Sequence, residues 1–169
     1  MHTPGGVLRW ATVIASGLTM HADWNACHAG QLAYTYAHFS HAKDFVFRKW
    51  CELAVERNAV APLDLSGACR YGSLFMNRVF GGSLRGHFQH QYNYIDHRVV
   101  DLSHDAADVG AMTHPYLHEP DYFELDSLQD SLAACLPRVD GWVLEFLAEV
   151  DTRQQCPARP DPAAGELRA

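Results

Sequence analysis

An α+β fold is what this sequence predicts, and three observations carry the prediction. Apolar residues recur at helical spacing in the first and last thirds, a β-rich stretch runs from Gln89 to Leu102, and a helix bearing Cys69 is entered between them. The expected architecture is a helical N-terminal layer, a Cys69 helix packed on a small antiparallel sheet, and C-terminal helices that close the core. With 169 residues and 48% hydrophobic content the chain can bury one sizeable core, so residues 1–156 read as a single domain. Residues 157–169, rich in Pro, Ala and Arg, offer little to bury and read as a disordered tail.

Taken in order, Val7 to Met20 is apolar but contains Arg9 and is too short to span a bilayer, so it reads as a packed helix rather than a signal or an anchor. Breaks near His21-Ala22-Asp23 and near Ser40 divide the first third into two or three helices. Leu32, Tyr36 and Phe39 share one side of the second, and Phe45, Trp50, Leu53 and Ala54 recur at three- and four-residue steps in the next. The turn-like Leu63-Asp64-Leu65-Ser66 makes Ser66 the N-cap of the following helix and sets Cys69 in its first turn. Gly72 and Ser73, one turn on, let that helix approach a sheet closely. Near the C-terminus Leu128, Leu132 and Leu136 mark one helix, Pro137 breaks it, and Trp142, Phe146 and Val150 mark another.

Between these lies a hairpin turning at Asp96-His97, with Tyr92, Tyr94, Ile95, Val99 and Val100 as its β-forming residues. An even loop makes Ile95 face Arg98, Tyr94 face Val99 and Tyr92 face Asp101. His90 then lies one diagonal step from Asp101 on the same face. A three-residue loop would instead set Asp101 beside Gln91 and Asn93. The segment from Met112 to Glu124, irregular and rich in Pro, Tyr and His, reads as a lid or groove wall.

Composition narrows the function classes. Thirteen basic against twenty acidic residues give a net charge of −7, and no basic run or groove-reading helix stands out, so no nucleic-acid partner is expected. Cysteines at 27, 51, 69, 135 and 156 form no CxxC pair, and their odd number fits a reduced, cytoplasmic compartment. Asn25-Ala26-Cys27 is preceded by Trp24, a poor occupant of a lipidation site. Eleven histidines invite a metal reading through His38 with His41, His87 with His90, and His21, Asp23 and His28. None of these sits in a metal motif such as HExxH, so neither a metal nor another cofactor is expected.

What remains is nucleophile chemistry. At a helix start, unpaired backbone N–H groups favour a thiolate at Cys69, the form that attacks an acyl carbon. His90 has the parity to act as its base and Asp101 the parity to orient His90. His87 is the competing base, disfavoured because it reads as preceding the paired part of the strand. Tyr92, His87 and Tyr116 are candidate substrate contacts, within an aromatic set that includes Tyr94, Tyr122 and Phe123.

The pattern of Gly-x-Cys at Gly67-Ala68-Cys69, a helix through Leu74-Phe75, the Gly81-Gly82 break, a His strand with aromatics and then Val100-Asp101-Leu102-Ser103 resembles a known family. It is similar to the transglutaminase-like branch of the papain-like cysteine superfamily, in particular a small bacterial group with the same three elements. The resemblance covers Leu65 to Ser103. It implies a Cys nucleophile, a His general base and acid and an orienting Asp, mapped onto Cys69, His90 and Asp101. The expected activity is acyl transfer through a Cys69 thioester, as an amidase or peptidase or as an amide-forming transferase, on a peptide or small-molecule amide. The Cys69 N–H supplies one oxyanion donor, and the sequence does not name a second. A catalytically silent binding protein on the same fold is the alternative, and a His-ligated metal protein a third.

Overall fold

A computed structural model describes residues 21–155 and places a four-stranded antiparallel sheet against a set of helices. Strand β1 (His28–Ala29) leads to helix α1 (Tyr36–Glu56). Helix α2 (Cys69–Phe80) runs directly into β2 (Gly81–His87), followed by β3 (His90–Ile95) and β4 (Arg98–Val100). A short helix α3 (Ala107–Gly110) and a 3-10 turn over Pro120–Glu124 precede the long helix α4 (Asp126–Gln155). The sheet order follows the chain, β1-β2-β3-β4. The α+β class with a small antiparallel sheet is therefore observed. The helix read over Val7 to Met20 and the tail from 157 lie outside the described residues.

The β3–β4 turn has the two-residue form. Asp96 and His97 both take left-handed backbone angles, φ 48° and 62°, which match the twist of a tight hairpin. Ile95 faces Arg98 and Tyr94 faces Val99, the register an even loop requires. Gly81-Gly82 reads as a break, yet the chain from Gly81 to His87 forms strand β2. Here glycine is required by contact. At Gly86, φ is +135° and an added Cβ would lie 2.1 Å from the His90 carbonyl oxygen. His87 closes β2 and faces His90 across the two-residue turn Phe88-Gln89, so it does not precede the paired strand as expected.

Helix α2 is the centre of the core. Its residues Gly72 to Asn77, with Val79 and Phe80, are buried; α4 packs along it, and α1 reaches it through Phe45 on Phe75 and Trp50 on Tyr71. Phe45 of α1, Phe75 of α2 and Phe146 of α4 meet with ring centroids 5.3–5.6 Å apart, the geometry aromatic rings prefer in a core. Asn93 of β3 donates to the Ser73 carbonyl at 2.8 Å, which fixes helix to sheet at the close approach expected there.

Four sequence expectations are corrected. Helix α1 passes through Ser40 without a break, and Tyr36, read as core-facing, is 85% exposed at its first turn. Thr35 is its N-cap and accepts from the His38 N–H. Ser66 is not the cap of α2: Gly67 takes a left-handed φ of 74°, so the helix starts at Cys69 with Ala68 before it. Helix α4 continues through Pro137, because Leu128, Leu132, Cys135, Val139, Trp142, Phe146 and Val150 form one buried stripe on both sides of it. Burying that stripe outweighs the roughly 3 kcal/mol an interior proline costs. Among the described residues no helix is long and apolar enough to cross a membrane.

Candidate active site

The turn before Cys69 is stitched to α3 on both sides. Asp64 accepts from the Ser66 N–H at 2.7 Å and the Ala107 N–H at 2.9 Å, while Asp108 accepts from the Gly67 N–H at 2.7 Å. The Ser66 hydroxyl accepts from the Asp108 N–H at 3.3 Å, which is where the expected cap is spent. Hydrogen bonds from Ser66, then from the Ala107 backbone, hold the Asp64 carboxyl below the usual range. Ala68 makes no side-chain cap, so the first-turn N–H groups of α2 around Cys69 are not claimed by a capping side chain.

Strands β3 and β4 bring His90 and Asp101 together. His90 Nε2 lies 2.9 Å from Asp101 Oδ2, and the two side chains are 1% and 4% exposed. The other carboxylate oxygen, Oδ1, accepts from both the N–H and the hydroxyl of Ser103 at 2.9 Å. Cys69 is the other side chain that raises the ring. Burial opposes a charge on His90, but the hydrogen bonds of Asp101 and Cys69, reinforced by their charges, outweigh it and push the imidazole up to about 9. Cys69 itself is partly exposed. Thus Asp101 and Cys69 both act on the buried His90 imidazole, Asp101 through a 2.9 Å hydrogen bond, and Cys69 is the partly exposed member of the three.

The remaining predicted residues divide. Tyr92 is 2% exposed, stacks 6.1 Å from the His90 ring and donates to the Tyr116 carbonyl at 2.8 Å, so it is a wall of the site rather than an open surface. Tyr116 packs edge-on to His90 at 6.3 Å, and its hydroxyl donates to Asp101 Oδ2 at 3.4 Å. His87 is buried opposite His90. Its Nδ1 accepts from the Gln89 N–H at 3.5 Å, and the carboxylate contact belongs to His90. Of the wider aromatic set, Phe123 is core at 1% exposed, and Tyr94 lies under the Arg85 guanidinium at 3.8 Å.

Sequence reasoning gave Gln91 and Asn93 no part in the site beyond a three-residue loop. Both are buried, and with Cys69, Ser73, Tyr92 and Asp101 they line a cavity of about 10 Å³, room for about one water molecule. Gln91 Oε1 has no partner in it. Asp64, Asp108 and Ser103 were likewise unassigned. Asp-x-Ser at Asp64-Leu65-Ser66 and at Asp101-Leu102-Ser103 was the available signal, since a carboxylate readily accepts from the N–H two residues on.

Among the described residues no group of three or more His, Cys, Asp or Glu side chains is placed to hold a metal ion. His38 meets the Ala33 carbonyl and His41 meets Glu149. Compared with protein-family models, with curated proteins and with solved structures, the chain matches none.

Proposed function

We propose that the protein is a cysteine-dependent acyl-transfer enzyme on a core of papain and transglutaminase type, acting on a peptide or small-molecule amide. One observation carries the reading: Asp101 hydrogen-bonds the buried His90 at 2.9 Å, and the partly exposed Cys69 acts on the same imidazole. In the proposed reaction the Cys69 proton rests on His90, held as an imidazolium up to about pH 9, and Cys69 Sγ attacks the amide carbon as the thiolate. Collapse of the tetrahedral adduct breaks the C–N bond as His90 protonates the departing amine, leaving a thioester on Cys69. Water or a second amine then attacks the thioester, gives its proton to His90 and restores the thiolate. Asp101 keeps the imidazole in one tautomer and balances its positive charge. The Cys69 N–H, at the start of α2, supplies one donor to the oxyanion. Thiols at Cys27, Cys51 and Cys135 that are all free support a reduced, cytoplasmic setting.

The test is trapping. Incubation with a panel of peptide and small-molecule amides, quenched in acid and read by mass spectrometry, is expected to show an acyl adduct on the Cys69 peptide alone. Cys69→Ala is expected to abolish it. A full panel without adduct, together with a Cys69 that alkylates no faster than exposed Cys27, overturns the reading.

A further inference from the structure

The chain from Gly110 to Tyr122 contains no buried residue, yet it lies between two firm anchors, Val109 and Phe123, at 3% and 1% exposed. Five hydrogen bonds tie it to β2, β3, Asn25 and Asp101. The His118 Nδ1 accepts from the Gly86 N–H at 3.3 Å, the Glu119 N–H donates to the Gly86 carbonyl at 2.9 Å, and Asn25 donates to the Pro120 carbonyl at 3.2 Å. The other two both involve Tyr116 and both end on the site: Tyr92 donates to its carbonyl, and its hydroxyl donates to Asp101 Oδ2. Tyr116 is 42% exposed, whereas His90 beneath it is 1% exposed. Its ring stands edge-on to both Tyr92, at 5.3 Å, and His90. A ring wet on its outer face and dry on its inner face is a cover.

We propose that Tyr116 is a positioning residue that seals the His90–Asp101 pair from water and docks on the orienting carboxylate. The proposal rests on the acyl-transfer reading of the same site. Its physical content is dielectric. An imidazolium and a carboxylate 2.9 Å apart attract strongly where water is excluded and weakly where it is not. Asp101 Oδ2 has two donors to serve, His90 and Tyr116, and Oδ1 is committed to Ser103, so the carboxylate cannot rotate away from the ring without breaking three other bonds. The groups facing His90 are Asp101, Cys69 of α2, Tyr92 of its own strand, Tyr116, and His87 opposite on β2, with Arg85 beyond Tyr92. Of these only Tyr116 belongs to the segment without a buried residue. Removing it opens the pair to solvent without touching a packed element.

The experiment compares wild type with Tyr116→Ala and Tyr116→Phe, using an NMR titration of the His90 ring and iodoacetamide alkylation of each cysteine. In Tyr116→Ala the His90 midpoint is expected to shift from about 9 by about one unit or more, since solvent reaches both the burial that opposes the charge and the Asp101 attraction that favours it. Cys69 alkylation at neutral pH is expected to slow by about fivefold or more, with Cys27 unchanged. Tyr116→Phe, which keeps the ring and loses only the hydroxyl, is expected to recover most of the midpoint and at least half of the rate. A purely structural role for Tyr116 would move the melting temperature and leave the His90 midpoint in place. That result in Tyr116→Ala overturns the proposal. If Tyr116→Ala does not fold, Tyr116→Leu takes its place with the same expectation. A wild-type Cys69 no faster than Cys27 sinks the acyl-transfer reading itself; a fast wild-type Cys69 that is indifferent to Tyr116 sinks only the cover.

Discussion

At Asp101 both carboxylate oxygens are committed, Oδ1 to Ser103 and Oδ2 to His90 and Tyr116, so its charge and its orientation are separable experimentally. Asp101→Asn keeps the side-chain shape and removes the charge. The His90 midpoint is expected to drop from about 9 toward its ordinary 6.5, and Cys69 alkylation to slow by about tenfold, both read by NMR titration and mass spectrometry. An unchanged midpoint would mean that Asp101 does not hold the imidazolium. The pairing of His90 with Asp101 was legible in the sequence because strand parity is arithmetic once the loop length is known, and Asp96-His97 made a two-residue turn readable. Gln91 and Ser103 were not legible: their burial depends on α2 and on the turn after β4, neither of which parity describes.

At the scale of elements, β2 and α4 show where sequence reasoning met a stronger force. Gly81-Gly82 reads as a break, yet β2 begins there, and Gly86 is glycine because the His90 and Gln91 backbone passes where a side chain would be. Gly86→Ala is therefore expected to destabilise the fold by about 2–3 kcal/mol and to slow Cys69 alkylation, because relief of the clash displaces His90. A urea midpoint and an alkylation rate both at wild-type values would contradict this. In α4, Pro137 argued for two helices, but the buried stripe from Leu128 to Val150 is continuous across it. Pro137→Ala restores an N–H donor and removes a ring clash without altering that stripe. It is expected to stabilise the protein by about 1–3 kcal/mol, measured by urea unfolding; a loss of stability would show that Pro137 shapes a bend the packing needs.

Over the whole molecule, α2 packs against α4 and the sheet, and the buried His90 is set against the Asp101 carboxylate with Cys69 acting on the same ring. That arrangement makes stability depend on pH in a definite direction. The His90 midpoint is raised in the folded state, so its contribution is fully present below about pH 6.5 and is lost as pH rises through about 9. The stability difference between wild type and His90→Gln is expected to be larger at pH 6 than at pH 10 by about 3 kcal/mol, measured by urea unfolding at both. The class of fold was readable from two periodicities, 3.6 at the ends and 2 in the middle, but the way α1 and α4 meet α2 was not, since periodicity names a buried face without naming its partner. The most direct test of the central claim is the rate of alkylation at each cysteine, read by mass spectrometry across pH, in wild type and in His90→Ala. Cys69 is expected to react about tenfold faster than exposed Cys27, and His90→Ala to erase the difference. A Cys69 that reacts like Cys27, or that stays fast without His90, would contradict the account.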